Sequence, residues 1–580
     1  MSLTRTATGR PEVVTRGASP ARAAWIERAT SADHKSVALL YVGAALALAT
    51  AAAVELALMR LQLIVPESGI IGPEIFNRLL TVGGTTAVLL FAVPLALGLI
   101  GYVVPLQIGA RGVALPRLNL LGAWLYIVGA LTIYASFLYT PPGIGAAGLP
   151  PLSETAFSPD SGTDAWIAGT ALAISGFVLS AINLVATVAR MRAPGFAWRR
   201  VPPFAWAGFL SGLVLLVVGP AMLGALAMLF IDRNFDGVFF SAGAGGAPLL
   251  YQHLAGIFSA GVFAVILLFA AAVISEILPS FARKPLFSHR ATIGALVTIA
   301  ILTPLAWMQG MYGAPLGPGW TTAAMVIALA LVVPIGTLFA IWIATIWQGA
   351  LRFRAAQAYA LAAISTLAFG LALELALSVI PVGWMLDGTT FQLAASTYVL
   401  VGAVVLGGFA ALHYWFGKLC GRTLGEGLGK AALAVILVGV HLYALPLLMA
   451  GVAGQPAEAF QYFEGAGLGG YNLVASIGAF ILTIGIFVAL ANVAWSYGNG
   501  RRALHDPWGG STLEWFALSP PPPHNFDIVP DVRSAEPMRD IREALRAREE
   551  APEAPRPREP IAAPVGAQRG EAESSEPPVA

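Results

Sequence analysis

Histidine is the residue of this chain best suited to bind a transition metal, because a neutral imidazole nitrogen is a common metal ligand. The chain has 7 histidines, and most of them fall in polar loops or tails. His441 stands in the middle of an apolar run, where we expect a core or interface histidine, with a proton-relay or ligand role as the alternatives. The single cysteine, Cys420, excludes a disulfide framework, an iron–sulfur cluster and a cysteine-ligated zinc site.

Three charged residues in or at the edge of apolar runs are further candidates: Glu55, Arg60 and Glu374. An ionised group at bilayer depth is costly, so each one marks a possible functional site. For Glu55 we expect an ion pair with Arg60. For Glu374 three roles stay open: a buried neutral carboxyl with a local hydrogen bond, a proton or ion relay, and contact with a partner subunit.

The composition indicates what must position these residues. Of 580 residues, 57% are hydrophobic and 11% are charged, against roughly 25% charged residues in soluble domains. Mean hydropathy is +0.76. The net charge of +2 gives no indication of nucleic-acid binding. These values predict a polytopic membrane protein.

Twelve apolar runs reach the length of about 20 residues that a membrane-spanning helix needs. The predicted fold class is therefore all-α, a bundle of twelve transmembrane helices. The runs are 36–59, 81–104, 120–139, 166–189, 204–230, 254–278, 291–311, 321–347, 359–381, 391–416, 431–449 and 471–495.

The loops between the runs alternate in charge. Loops such as 190–200 and 283–290 are rich in Arg and Lys, whereas the alternate loops hold only Arg60, Arg78 and Arg233. By the positive-inside rule both termini are cytoplasmic. We expect residues 1–30 to be a mobile leader, 31–531 the membrane domain, and 532–580 a disordered tail rich in Pro, Glu, Arg and Ala, with a short helix near 538–549.

Several stretches resemble subunit I of the haem–copper oxidases, the core of cytochrome c and quinol oxidases, over roughly residues 30–535. They occur in the family's order and spacing, and include "FNRLLTVGGTT", "VPLQIGARGVALPRLN", "SEILPSFARKPLF" and "HDPWGGSTLEW". The resemblance implies a twelve-helix fold that reduces oxygen to water and pumps protons. It also implies a low-spin haem, a high-spin haem and a copper ion, held by six histidines.

None of the six ligand positions that the resemblance assigns carries a histidine. The haem-ligand positions are Gly83 in the second run and Ala395 and Thr397 in the tenth. The copper-ligand positions are Ala260, Trp307 and Met308, and the position of the cross-linked tyrosine is Ala264. From these replacements we predict that the chain takes no haem, copper or other cofactor.

Three functions follow as hypotheses. The first is a redox-inactive structural, assembly or regulatory subunit that contacts other oxidase-type membrane subunits. The second is an active terminal oxidase, as family membership would imply. The third is a proton-, ion- or quinone-binding membrane protein that uses the emptied haem cavity, which quinone or lipid would fill.

Overall fold

The computed structural model describes residues 27, 29–315, 317–350, 353–530 and 532–550. For residues 548–550 it describes only the backbone. Within these residues, twelve helices are long and apolar enough to cross a membrane. They are α1 (His34–Gln62), α2 (Pro73–Gln107), α3 (Pro116–Leu138), α4 (Ser161–Arg190), α5 (Pro203–Asn234), α6 (Pro248–Ala282), α7 (His289–Met311), α8 (Pro318–Ile346), α9 (Ala355–Leu377), α10 (Thr390–Cys420), α11 (Glu426–Val452) and α12 (Gly469–Asn499). The predicted number and order of spans are confirmed.

Proline defines where many of these helices begin. Five of the twelve start at a proline, which fits the first helical turn because its missing N–H has no helical acceptor there and its φ is already helical. The most buried spans are α2, α6 and α10, so they form the centre of the bundle.

Two central spans contain a π-helical turn. It covers Thr86–Ala92 in α2 and Val401–Leu406 in α10. Single π-turns inside α-helices occur frequently at functional sites, because the extra residue shifts the register of the side chains that follow. Both turns begin shortly after predicted haem-ligand positions, Gly83 and Thr397.

Helices α3 and α4 are in backbone contact through glycines. A Cβ added to Gly169 would lie 2.6 Å from the carbonyl oxygen of Gly129, and a Cβ added to Gly122 would lie 2.7 Å from that of Gly176. Membrane helices use small residues at such interfaces, because close approach maximises van der Waals contact.

We predict that Gly169→Ala destabilises the bundle by roughly 1–3 kcal/mol, the usual cost of overpacking. Thermal unfolding in detergent measures the effect. Gly224→Ala is the control, because its added Cβ would meet no atom within 4 Å. Equal unfolding midpoints for the two variants would contradict the close contact.

The segment after α12 closes the end of the bundle at which α1 begins and α12 ends, which we call the terminal face (the described residues between 501 and 550 with the start of α1). Lys35 Nζ donates to Asn525 Oδ1 at 3.0 Å. Lys418 Nζ donates to the carbonyl oxygen of His505 at 3.0 Å. Glu514 is fully buried and accepts from Thr512 at 2.9 Å and from Gln107 and Trp415 at 3.2 Å.

Of the predicted tail, residues 532–580, the structure describes 532–550. A helix, α13 (Pro537–Glu550), follows the terminal segment and includes the short helix predicted near 538–549. It is held because Arg542 Nη1 lies 2.9 Å from Asp506 Oδ2. The expected mobility of the leader and of residues 551–580 concerns chain that lies almost wholly outside the described residues.

Burial raises the pKa of the Glu514 carboxyl above its ordinary value of 4.5. A raised folded-state pKa stabilises the fold at low pH, and this contribution is lost as the pH rises through the folded pKa. We therefore predict that Glu514→Gln flattens the decline of the unfolding temperature above about pH 4.5. Glu74→Gln, at an exposed carboxylate, is the control; a decline equally steep in Glu514→Gln and wild type would contradict the prediction.

Candidate functional site

Two cavities lie on opposite sides of the first half of α10. The first cavity, of about 410 Å³, lies between α1, α2 and α10, with contributions from α11 and α12. The second cavity, of about 290 Å³, lies between α6, α9 and α10, with contributions from α7 and α8. Gln392 and Ser396, one helical turn apart on α10, line both cavities and form the wall between them.

The structure brings four predicted ligand positions to the cavity walls. Gly83 and Thr397 both line the first cavity, one on α2 and the other on α10. Ala260 and Trp307 both line the second cavity. The backbone therefore juxtaposes these positions in pairs, although the side chains at all four lack an imidazole.

The other predicted positions lie inside the helix packing. Ala395 and Ala264 are fully buried, and Met308 is 7% exposed. Met308 packs in a small cluster with Tyr312 and Ala324.

Arg60 lies at the end of the first cavity that is opposite the terminal face. Its side chain is buried, and Nη2 donates to the backbone oxygen of Asn472 at 2.9 Å and to its Oδ1 at 3.0 Å. Asn472 Nδ2 in turn donates to Gln455 Oε1 at 2.8 Å. The guanidinium is thus oriented by neutral groups of α12 and of the loop after α11.

The expected Glu55–Arg60 ion pair does not form. Glu55 instead accepts a hydrogen bond from the Tyr134 hydroxyl at 3.0 Å, and its Oε2 is buried without a partner. The reason is geometric: residues five apart on a helix point about 140° away from each other, so Glu55 faces α3 while Arg60 faces α12.

We predict that Tyr134→Phe destabilises the protein by roughly 1–3 kcal/mol, because both oxygens of a buried carboxyl would then lack a donor. Unfolding in detergent, measured as a double-mutant cycle with Glu55→Leu, isolates the interaction. In the Glu55→Leu background the tyrosine substitution should cost less, because only the bond between the Tyr134 hydroxyl and Thr86 Oγ1 at 2.8 Å is then lost. An equal cost in both backgrounds would contradict the assigned hydrogen bond.

Glu374 lines the second cavity. Its Oε1 accepts from Ser396 Oγ at 3.0 Å, which provides the local hydrogen bond that one of its three predicted roles requires. Its backbone oxygen accepts from Gln309 Nε2 at 3.2 Å. On the same wall, Trp307 Nε1 donates to His253 Nδ1 at 3.3 Å.

His441 lies on the outer surface of α11 and is bonded at 3.0 Å to the hydroxyl of buried Tyr398. His441 is therefore not positioned to act as a ligand in either cavity. The described part of the chain includes all seven histidines, and none of them lines either cavity.

Sequence reasoning missed the polar residues that the cavities share or end on. Gln392, Ser396, Gln455 and Asn472 gave no signal, because single amides and hydroxyls are common in membrane helices. The paired loss of histidines at Gly83 and Thr397 was the one indication of where the first cavity lies.

Comparison with known proteins places this architecture in a family. The family model for cytochrome C and quinol oxidase polypeptide I matches residues 36–481. A cytochrome c oxidase subunit 1 from Bacillus subtilis is 34% identical over 511 residues, 88% of this chain and 82% of the relative. A probable cytochrome c oxidase subunit 1-alpha from Streptomyces avermitilis is 37% identical over 519 residues, 88% of this chain and 89% of the relative.

A solved structure has the same fold. It is a cryo-EM structure of a heme-copper terminal oxidase dimer, which superposes with a TM-score of 0.71 at 15% identity and covers 83% of this chain and 86% of its own. The fold defines a membrane protein of the haem–copper oxidase class. The chain belongs to the family of cytochrome c and quinol oxidase polypeptide I, that is, to subunit I.

These comparisons correct one prediction. The expectation that no cofactor is associated with this chain is wrong at the level of its family, because the matched relatives are cytochrome c oxidase subunits and the matched structure is a heme-copper terminal oxidase. The local donor set nevertheless does not fit ligation by paired imidazoles. The first cavity offers Met59, Arg60, Tyr443 and side-chain amides and hydroxyls, with glycine and threonine at the two facing positions.

Proposed function

We propose that this chain is a subunit I homologue that does not itself reduce oxygen and that serves as a structural, assembly or regulatory subunit of an oxidase-type membrane complex. The observation that carries the proposal is that Gly83 and Thr397, two positions where the resemblance predicts haem-ligating histidines, both line the first cavity. Glycine has no donor atom. The Thr397 hydroxyl is already bonded to the Leu393 carbonyl oxygen at 2.7 Å.

The second cavity supports the same proposal. Ala260 has no donor atom, and the indole N–H of Trp307 is a donor that faces His253. Neither group can bind copper. In both cavities, therefore, the positions where the resemblance predicts metal-ligating histidines lack an imidazole.

The scaffold itself is retained. The alignment with the Bacillus subtilis relative covers 88% of the chain, and all twelve spans are present in the described residues. Surfaces that contact lipid and neighbouring subunits depend on this scaffold and not on the metal ligands. Association with other oxidase-type subunits is therefore the role that the retained architecture favours.

The orientation proposed from the charge pattern places the terminal face in the cytoplasm. Loops rich in Arg and Lys, such as 190–200 and 283–290, and both ends of the membrane domain lie on this side. The cavity end that carries Arg60 would then face the outer side of the membrane.

Oxygen reduction is the competing function, because the curated relatives are named as cytochrome c oxidase subunits. Oxygen uptake by the purified chain, freed of any other subunit I and supplied with reduced cytochrome c or a quinol, separates the two. The proposal predicts no uptake above that of a preparation without the chain. Sustained, cyanide-sensitive uptake that needs the chain would contradict it.

Rebuilding the lost ligands gives a positive test. A Cβ added at Gly83 makes its nearest contacts at 3.4–3.6 Å, so a side chain can begin there without a clash. We predict that the double variant Gly83→His, Thr397→His gains the optical and electron paramagnetic resonance signature of a bis-imidazole low-spin haem, and that neither single variant does. If the folded double variant were indistinguishable from wild type, the assignment of these positions would be wrong.

A further inference from the structure

The first cavity extends along α1 and is mostly apolar. Along α1 its wall includes Leu46, Ala49, Ala53 and Leu56 and ends at Arg60. The 15 residues from Leu46 to Arg60 span about 21 Å at 1.5 Å per residue. Its volume of about 410 Å³ falls within the range of small-molecule sites. This shape suits a hydrocarbon chain that runs parallel to the helices.

The polar end of the cavity carries a buried cation. Arg60 is 4% exposed, and no ion pair among the described residues involves it. Its two hydrogen bonds go to neutral oxygens of Asn472, and Nε is buried without a partner. A buried charge without a counter-charge is unfavourable unless a ligand neutralises it.

The other polar groups around Arg60 do not supply that counter-charge. Glu55 is bonded to Tyr134 and faces α3. Glu458 lines the rim of the cavity, but it is exposed to solvent. The Tyr443 side chain lines the same end and carries a hydroxyl that can donate to a head group.

We propose that the first cavity binds a long-chain amphiphile with an anionic head group, a fatty-acid carboxylate or the phosphate of a single-chain lipid. The head group lies against Arg60, and the chain follows Ala53, Ala49 and Leu46 toward the terminal face. A quinone head group is neutral and leaves the arginine charge uncompensated, so a quinone is the alternative that the test must separate. The inference rests on the proposed function, because a haem in this cavity would exclude the amphiphile.

Binding of radiolabelled palmitate to the purified full-length chain in a non-ionic detergent tests the proposal. Arg60→Gln removes the charge, and Gly83→Leu fills the cavity while Arg60 stays intact. Arg78→Gln is the matched control, because Arg78 is a half-buried arginine at the same end of the bundle that does not line the cavity. Retention of the wild-type unfolding midpoint shows that each variant is folded.

The expected result is that palmitate affinity falls about tenfold or more in Arg60→Gln and in Gly83→Leu, and changes by less than about twofold in Arg78→Gln. Displacement of the labelled palmitate by a lysophospholipid at lower concentration than by unlabelled palmitate would identify phosphate as the preferred head group, and the reverse order would identify the carboxylate. Displacement of palmitate by decylubiquinone at lower concentration than by unlabelled palmitate would overturn the anionic assignment. Equal palmitate affinity in wild type and Arg60→Gln would overturn the proposal.

Native mass spectrometry of the same preparation keeps this proposal separate from the proposed function. A fatty acid or single-chain lipid retained by the wild type and lost from Gly83→Leu supports both. A haem adduct lost from Gly83→Leu overturns both. If neither adduct is found, palmitate does not bind and no oxygen is taken up, only the amphiphile proposal is overturned.

Discussion

A polar group inside a membrane-spanning bundle cannot form hydrogen bonds with bulk water, so its partner must come from a neighbouring helix or from a ligand. This constraint accounts for much of the arrangement around the cavities. Asn472 and Gln455 bond each other and together orient Arg60, while Tyr134 serves Glu55. The described part of the bundle supplies hydrogen-bond acceptors to the Arg60 guanidinium but no counter-charge. The missing counter-charge is what the proposed ligand would supply.

The first cavity is bordered by small side chains such as Gly83, and the bundle around it is also held by contacts away from the cavity. Glycine contacts hold α3 against α4. At the terminal face, Lys418 and Glu514 tie the segment after α12 to α10 and α2. With α2 and α10 held at the terminal face, the space beside Gly83 stays open.

The sequence was most informative where a single physical requirement dominates. A run of about 20 apolar residues is required for a span, and all twelve spans followed from that rule. Their ends were less predictable: the second run began at 81, whereas α2 begins at Pro73, because the helix continues through Glu74, Asn77 and Arg78 beyond the apolar stretch. Such polar residues at a helix end carry no hydropathy signal.

Long-range partners were beyond the sequence. Arg60 and Asn472 are 412 residues apart, and neither residue type specifies the other. The prediction of a Glu55–Arg60 pair relied on proximity in sequence. It failed because the two side chains point in different directions around the helix. The ligand positions came from the resemblance, and the structure places four of them on cavity walls. The relatives that share this resemblance are cytochrome c oxidase subunits, which contradicts the expectation that no cofactor is associated with the family.

The most direct test of this account is a cryo-EM map of the protein purified from its native membrane with its bound subunits. The account predicts an elongated, unbranched density in the first cavity, with its head within hydrogen-bonding distance of Arg60, and partner-subunit density against the bundle. A flat macrocycle coordinated between α2 and α10 would contradict it.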